Sequence, residues 1–172
     1  HSDTRKGLIN TIYGLVRKRT LKSKLQLINS FKLKDKRLLD IGCGTGHFLE
    51  TAQNNGWNVV GVEAHDKTRT LTEEKLKTTL YSSIKDLPDK GKFDIISLWH
   101  VLEHVHELNE TIIKLKKLIH KKGRIIIAVP NYNSEDRKTY GDDWAAFDVP
   151  RHLYHFTQNS MNTLIRKHGM KV

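Results

Sequence analysis

The sequence predicts an α/β fold: a doubly wound, mostly parallel sheet with helices on both faces. Short apolar segments alternate with amphipathic ones in the order strand, helix, strand, helix, strand. Several apolar segments are nearly continuous, for example residues 93–99 and 124–130, as in strands buried on both faces. A glycine-rich turn at residues 42–46 follows the first strand, where sheets of this kind bind ligands.

The N-terminal segment predicts one or two amphipathic helices over residues 7–31, because apolar residues recur there at three- and four-residue steps. We expect residues 1–35 to form a helical cap over a second unit, residues 36–172. In that unit, strands are predicted in KRLLDIG, WNVVGVE, KTTLYS, KFDIISLW and RIIIAVP. Helices are predicted in GHFLETAQNNG, DKTRTLTEEKL and LNETIIKLKKLIH, the last ending at Gly123.

The C-terminal part of the sequence is less regular. Residues 131–156 are polar and aromatic without periodicity, which predicts a long loop. Thr157 can cap a helix that runs to about His168, with Gly169 as its stop. Residues 170–172, MKV, are expected to begin another strand.

Composition places the chain among single-domain globular proteins with appendages, since it has 172 residues of which 37% are hydrophobic. The sequence holds no apolar run of membrane-spanning length and no signal-peptide pattern at its start. The single cysteine, Cys43, excludes an internal disulfide and a cysteine-built zinc site. We therefore expect a cytoplasmic protein without a transmembrane segment.

The net charge of +11 is concentrated near the N-terminus. The basic residues there are Arg17, Lys18, Arg19, Lys22, Lys24, Lys32, Lys34, Lys36 and Arg37. Such a region could attract nucleic acid, an anionic membrane surface or an acidic substrate. A solvated helix face is favoured over nucleic-acid binding, because no aromatic residues are interleaved as a stacking platform.

The spacing of the glycines indicates the kind of ligand. Gly42, Gly44 and Gly46 do not follow G-x-G-x-x-G, and His47 stands where that pattern needs glycine or alanine, which counts against an NAD-dependent oxidoreductase. Asp40 precedes the loop, and Glu63 ends the second strand, where its carboxylate can accept hydrogen bonds from two ribose hydroxyls. The pattern therefore favours a nucleoside that carries a positive charge.

At these residues the sequence resembles the class I S-adenosylmethionine-dependent methyltransferases, most closely their UbiG-like and type 11, 12 and 23 branches. The resemblance rests on LLDIGCGTGHFL, VVGVEAH, FDIISLWHVLEHV and GRIIIAVPN, in that order. It implies a Rossmann-like fold and an enzyme that uses S-adenosyl-L-methionine and releases S-adenosyl-L-homocysteine. The family's sheet continues through a sixth and an antiparallel seventh strand, so the domain is expected to be truncated at its sixth strand.

The resemblance also implies roles for individual residues. Residues 42–46, Cys43 included, would hold the methionine part of the cofactor with their backbone, Asp40 would support the loop and the amino group, and Glu63 would bind the ribose. Ala64, Ser82, Ser83 and Ile84 would flank the adenine. Leu98, Trp99 and His100 would contact the methionine side and the methyl exit.

The stretch HVLEH matches H-x-x-E-H, a zinc-peptidase pattern, at His100, Glu103 and His104. A zinc peptidase is disfavoured, because His100 follows directly on a buried strand and the three residues need not share a helix face. Four roles stay open for Glu103 and His104: lining the substrate mouth, binding a divalent ion, polarising a nucleophile, or bracing the next helix. We assign no metal ligand.

The loop YGDDWAAFDVPRHLYHFT holds the best substrate-side candidates, since it follows the fifth strand. A histidine could take a proton from the acceptor. His152 is the first candidate and His155 the second, with His104 added from the preceding motif, and for each a structural role is an alternative. We expect in-line methyl transfer to a small-molecule or lipid-like acceptor; a noncatalytic domain that binds cofactor or nucleic acid as a partner subunit is the second hypothesis.

Overall fold

The computed structural model describes the backbone of residues 2–88 and 92–172 and the side chains of residues 13–88 and 92–172. Its centre is a five-stranded sheet in the order β3-β2-β1-β4-β5, in which every pairing is parallel. The strands are β1 Arg37–Ile41, β2 Asn58–Val62, β3 Leu80–Tyr81, β4 Phe93–Trp99 and β5 Ile119–Ala128. The predicted fold class is confirmed.

Helices cover both faces of the sheet. They are α1 Ser2–Ser30, α2 His47–Gln53, α3 Asp66–Leu76, α4 Leu108–Leu118, α5 Glu135–Tyr140 and α6 Gln158–Lys167. One hydrophobic cluster joins the sheet to α4 and α6, and includes Ile96, Ile112 and Leu115. The other joins it to α1, α2 and α3 through residues such as Ile28 and Leu49. The carboxyl ends of β1, β2 and β4 are thereby fixed at one edge of the sheet.

The N-terminal segment forms one helix, α1, and its last turns enter the core. Ile28 is fully buried, and Trp57 Nε1 donates a hydrogen bond to Asn29 Oδ1 at 2.9 Å. Tyr13 and Leu15 are exposed, and the apolar side chains predicted to pack before residue 13 lie outside the described side chains. Residues of α1 and of the sheet belong to the same hydrophobic cluster. The division into two units at residue 35 therefore stays a prediction.

The predicted boundary between α4 and β5 is wrong. The helix ends at Leu118 rather than near His120, and β5 begins at Ile119 and passes through Gly123. Phe93 pairs with Ile119, which draws this segment into the sheet. Gly123 is not a helix stop: a methyl group there would lie 2.8 Å from the Asp94 carbonyl oxygen, so glycine permits the close approach of the two strands.

Two further expectations for the C-terminal part are wrong. The predicted loop contains α5 and 3₁₀ turns at Gly141–Asp143 and Ala145–Phe147, because Ser134 caps α5 by accepting from the Arg137 N–H at 3.2 Å. Residues 170–172 form no strand; the Met170 N–H instead donates to the Ile165 carbonyl at the end of α6.

A cavity of about 1060 Å³ lies between β5 and α6, and no glycine-loop residue lines it.

Candidate functional site

The glycine loop joins β1 to α2 through backbone that favours glycine. Gly42, Gly44 and Gly46 have φ values of 69°, 53° and 71°. A methyl group on Gly42 would lie 2.4 Å from Val101 Cγ2, and one on Gly46 would lie 2.5 Å from Thr72 Cγ2. No atom lies within 4 Å of a methyl group placed on Gly44. The outer two glycines therefore permit packing, and the middle one faces open space.

Backbone hydrogen bonds hold this loop. The N–H groups of Gly42 and Cys43 both donate to the Val62 carbonyl, at 2.8 and 3.0 Å, and Gly46 N–H donates to the Cys43 carbonyl at 3.0 Å. These contacts join the loop after β1 to the end of β2.

Glu63 is the side chain that closes the loop from the neighbouring strand. Its Oε2 accepts from the Gly44 N–H at 2.8 Å, and its Oε1 accepts from the His65 N–H at 2.9 Å. A carboxylate offers about four acceptor positions, so both oxygens keep capacity for further donors. The side chain is half-buried at the carboxyl end of β2, beside the open position at Gly44.

A buried acid lies beneath the loop. Asp40 accepts a hydrogen bond from the Ser97 hydroxyl at 2.6 Å. Burial raises the pKa of Asp40 to about 7, against the opposing effects of the Ser97 hydrogen bond and the Lys24 charge. Asp40 therefore supports the junction of β1 and β4 as a carboxyl group that titrates near neutrality.

Lys24 of α1 reaches the same region. Its Nζ lies 4.2 Å from the centroid of the Trp99 ring and 5.6 Å from that of Phe48, and the two rings meet edge to face at 5.9 Å. Burial lowers the pKa of Lys24, and Asp40 opposes that shift. The prediction that Lys24 lies on a solvated helix face is therefore wrong, because its side chain is partly buried. Its spacing with Leu21 and Ile28 on the buried side of α1 was the signal that could have singled it out.

The adenine-side residues lie on two neighbouring turns. Ala64 is exposed just after β2. Ser82 donates to Asp86 Oδ2 at 2.5 Å, and Ser83 caps the turn at residues 84–86 by accepting from the Lys85 N–H at 3.2 Å. Ile84 packs partly against the core. Their contact with adenine stays a prediction.

Besides Asp40, two of the predicted cofactor residues have buried side chains. Leu98 is fully buried in the core, so only its backbone could reach a ligand. Cys43 is also buried, and burial raises the pKa of its thiol to about 12. Cys43 therefore stays protonated near neutral pH and packs against Gly61.

The HVLEH motif does not form a peptidase helix. His100 follows β4 with φ 57° and has an exposed side chain, whereas Glu103 and His104 lie on a single 3₁₀ turn, Leu102–His104. A zinc-peptidase helix needs both histidines one turn apart on one continuous helix. That alternative is wrong for this fold.

The structure brings two of the three candidate catalytic histidines together. Glu103, His104 and His152 each place a possible ligand atom within 4.8 Å of the others. The Leu153 N–H donates to the Glu103 carbonyl at 2.8 Å, which holds the distant loop against the motif. His155 lies outside this group, with its Nε2 3.1 Å from the Phe147 carbonyl oxygen.

Comparison with known proteins shows which protein family this chain is similar to. The sequence profile of a methyltransferase domain family matches residues 13–172. A ubiquinone biosynthesis O-methyltransferase of Pelagibacter ubique is 37% identical over 105 residues, which is 58% of this chain and 44% of that protein. A protein of the same name from Rickettsia bellii is 30% identical over the same extent. The chain thus spans less than half the length of these curated relatives.

Solved structures share the fold. A SAM-dependent methyltransferase from Archaeoglobus fulgidus superposes with a TM-score of 0.69 at 24% identity, covering 88% of this chain and 68% of that one. A magnesium protoporphyrin IX methyltransferase from Synechocystis, solved with bound SAH, gives 0.70 at 19% identity, covering 90% and 74%. At these identities the likeness shows the architecture. Within the described residues, no helix has the length and apolar character needed to cross a membrane.

Proposed function

Because the chain belongs to the methyltransferase domain family, we propose that it transfers a methyl group from S-adenosyl-L-methionine to an acceptor hydroxyl. The name O-methyltransferase of the Pelagibacter relative supports oxygen as the acceptor atom. The acceptor is a small or lipid-like molecule. The observation that carries the proposal is Glu63, whose carboxylate is held on the Gly44 N–H next to open space.

Each part of the cofactor has a matching group. Glu63 accepts hydrogen bonds from the ribose hydroxyls, and the glycine-loop backbone borders the methionine part. The Lys24 ammonium, beside Trp99, pairs with the methionine carboxylate. Ala64 and the turn at residues 82–84 flank the adenine.

The chemistry asks mainly for positioning. The sulfonium supplies an activated methyl group: the acceptor oxygen bonds to its carbon, the S–C electron pair stays on sulfur, and the hydroxyl proton leaves. Residues at the end of β4 hold the acceptor in line, which can supply much of the rate. His152 and His104 are the candidate acceptors for the hydroxyl proton. The exposed His155 instead packs its ring against Phe147.

Calorimetric titration with S-adenosylhomocysteine and with 5′-methylthioadenosine tests the cofactor site, since the second ligand keeps the ribose but lacks the amino-acid part. Glu63→Gln should weaken both ligands about tenfold or more, because the paired carboxylate is lost. Glu74→Gln is the control, an exposed glutamate on α3. Unchanged affinity in Glu63→Gln, or an equal loss in Glu74→Gln, would contradict the assignment.

The same two ligands test Lys24. Lys24→Met should lower the affinity for S-adenosylhomocysteine about tenfold, as expected for loss of a partly buried charged hydrogen bond. It should leave methylthioadenosine binding unchanged. Lys22→Met, on the exposed side of α1, should change neither. Equal weakening of both ligands by Lys24→Met would mean that the lysine acts through its packing on the aromatic rings and does not pair with the ligand carboxylate.

Turnover separates the proposal from the noncatalytic hypothesis. A methyltransferase binds the cofactor and releases S-adenosylhomocysteine in the presence of a hydroxyl acceptor, whereas a binding subunit retains the first property alone. A cytoplasmic location stays a prediction, with which the single cysteine is consistent.

A further inference from the structure

The side chain of Glu103 is unusual among the described residues. It has no exposed surface, and neither carboxylate oxygen has a hydrogen-bond partner. The nearest basic atom, His100 Nδ1, lies 3.5 Å from Oε1, too far for a strong hydrogen bond. Buried carboxylates are normally paired or bind a metal, because an unpaired charge away from water is strongly destabilising.

The two histidines beside Glu103 are oriented as metal ligands are. His104 Nδ1 lies 2.9 Å from the Arg151 carbonyl oxygen, and His152 Nδ1 lies 2.7 Å from the Ala146 carbonyl oxygen. A carbonyl oxygen only accepts, so each Nδ1 carries a proton, and in the neutral ring Nε2 is the nitrogen that can bind a cation. Asp148 Oδ2 lies 3.9 Å from His152 Nε2 on the same side. Histidines that bind metals are commonly fixed in this way by a backbone carbonyl.

The geometry points to a divalent transition-metal site formed by Glu103 Oε and the Nε2 atoms of His104 and His152, which revises the sequence expectation of no metal ligand. One possible ligand atom from each of the three residues, a ring nitrogen or a carboxylate oxygen, lies within 4.8 Å of the other two. Ligands about 2.1 Å from an ion stand roughly 3–3.5 Å apart, so small side-chain rotations close the site. Two imidazoles and one carboxylate favour Zn²⁺, Fe²⁺ or Co²⁺ over Mg²⁺.

The site lies next to the glycine loop. Val101, which limits the space at Gly42, is two residues from Glu103. Three protein ligands leave coordination positions open, as in catalytic metal centres. Resting on the proposed function, the ion binds the acceptor through its hydroxyl oxygen and lowers the pKa of that hydroxyl. The O–H bond then breaks, and the proton goes to water, because an Nε2 atom that binds the ion cannot also accept the proton as His152 and His104 would without it. The oxygen electron pair forms the new bond to the methyl carbon as the S–C bond breaks.

Cobalt binding tests the site without turnover. Protein dialysed against a chelator is titrated with Co²⁺ and followed by visible absorption, and we expect one equivalent to bind. His104→Ala should lower the Co²⁺ affinity at least tenfold and should fold, because this ring is exposed. Glu103→Gln, which keeps the shape, should do the same. His106→Gln removes a neighbouring exposed histidine and should leave the affinity unchanged.

Open coordination is tested by adding azide to the cobalt protein, which should shift the absorption bands. Absence of saturable Co²⁺ binding, or wild-type affinity in His104→Ala or Glu103→Gln, would overturn the site, and unshifted bands would overturn its catalytic placement. Calorimetry with S-adenosylhomocysteine on the metal-free protein keeps the two proposals apart. Ligand binding without cobalt binding overturns the metal site alone, whereas cobalt binding without ligand binding overturns the proposed function.

Discussion

The two halves of the candidate site are built in opposite ways. In the glycine loop, the backbone N–H groups at residues 42–44 donate within the protein, and Glu63 accepts from Gly44 and His65. In the mouth formed by residues 100–104 and 146–155, the Glu103 carboxylate is buried without a partner. In the first half, the hydrogen-bond donors are paired within the protein. In the second half, the buried carboxylate is unpaired, so a bound cation should stabilise it.

Gly42→Ala should damage the preformed half most. The new methyl group would lie 2.4 Å from Val101 Cγ2, on backbone with φ 69°. Steric crowding and the left-handed conformation together should lower the free energy of unfolding by about 4 kcal/mol. Urea denaturation measures this loss. A loss no greater than that of Gly56→Ala, which has φ 80° and no atom within 4 Å, would show that Val101 does not limit the loop.

Asp40→Asn should change how stability depends on pH. The pKa of the folded carboxyl is about 7, above its ordinary value of 3.8, so between these pH values the folded state binds the extra proton. Its contribution to stability is present below about pH 4 and is lost as the pH rises through 7, by on the order of 4 kcal/mol. Asp40→Asn should remove this fall of the unfolding free energy with rising pH. If the unfolding free energies of both proteins changed equally from pH 4 to 8, the assignment would be contradicted.

Gly44→Ala should separate binding from folding. No protein atom lies within 4 Å of the new methyl group, so the loss of stability should match that of Gly56→Ala. The methyl group would stand in the space assigned to the ligand, so S-adenosylhomocysteine should bind about tenfold more weakly, about 1.4 kcal/mol. Calorimetry and thermal melts measure the two effects. Full ligand affinity in Gly44→Ala would place the ligand elsewhere.

Glu103→Gln should have the smallest effect on folding and the opposite sign. An amide at this buried position carries no charge, so the metal-free protein should gain about 1 kcal/mol of stability. Thermal melting in a chelator measures the gain. A marked loss of stability would mean that the carboxylate has a stabilising partner in solution, and the contrast between the two halves would not hold.

The glycine loop was predictable because its signal is local. Three glycines after a buried strand, with an acid at the end of the next strand, specify positions that the parallel sheet brings to one edge. The pairing of β1 with β2 then places Glu63 on Gly44 without any further information. The helix boundary at Leu118 was missed because pairing with β4 overrides local helix propensity.

The mouth depends on contacts between residues distant in sequence. His152 meets Glu103 only because the loop after β5 folds back and bonds to the Glu103 carbonyl. HVLEH alone could not distinguish a helix from a strand end followed by a 3₁₀ turn. Lys24 was grouped with its exposed basic neighbours because net charge does not show that one of them packs on Trp99.

A crystal structure with bound S-adenosylhomocysteine would show where the ligand binds. We expect ribose hydroxyls within about 2.6–3.2 Å of the Glu63 carboxylate. We also expect the glycine loop to keep its hydrogen bonds to Val62 and the ligand carboxylate to face Lys24. A ligand in the cavity between β5 and α6, or a ribose without contact to Glu63, would contradict the proposed cofactor site.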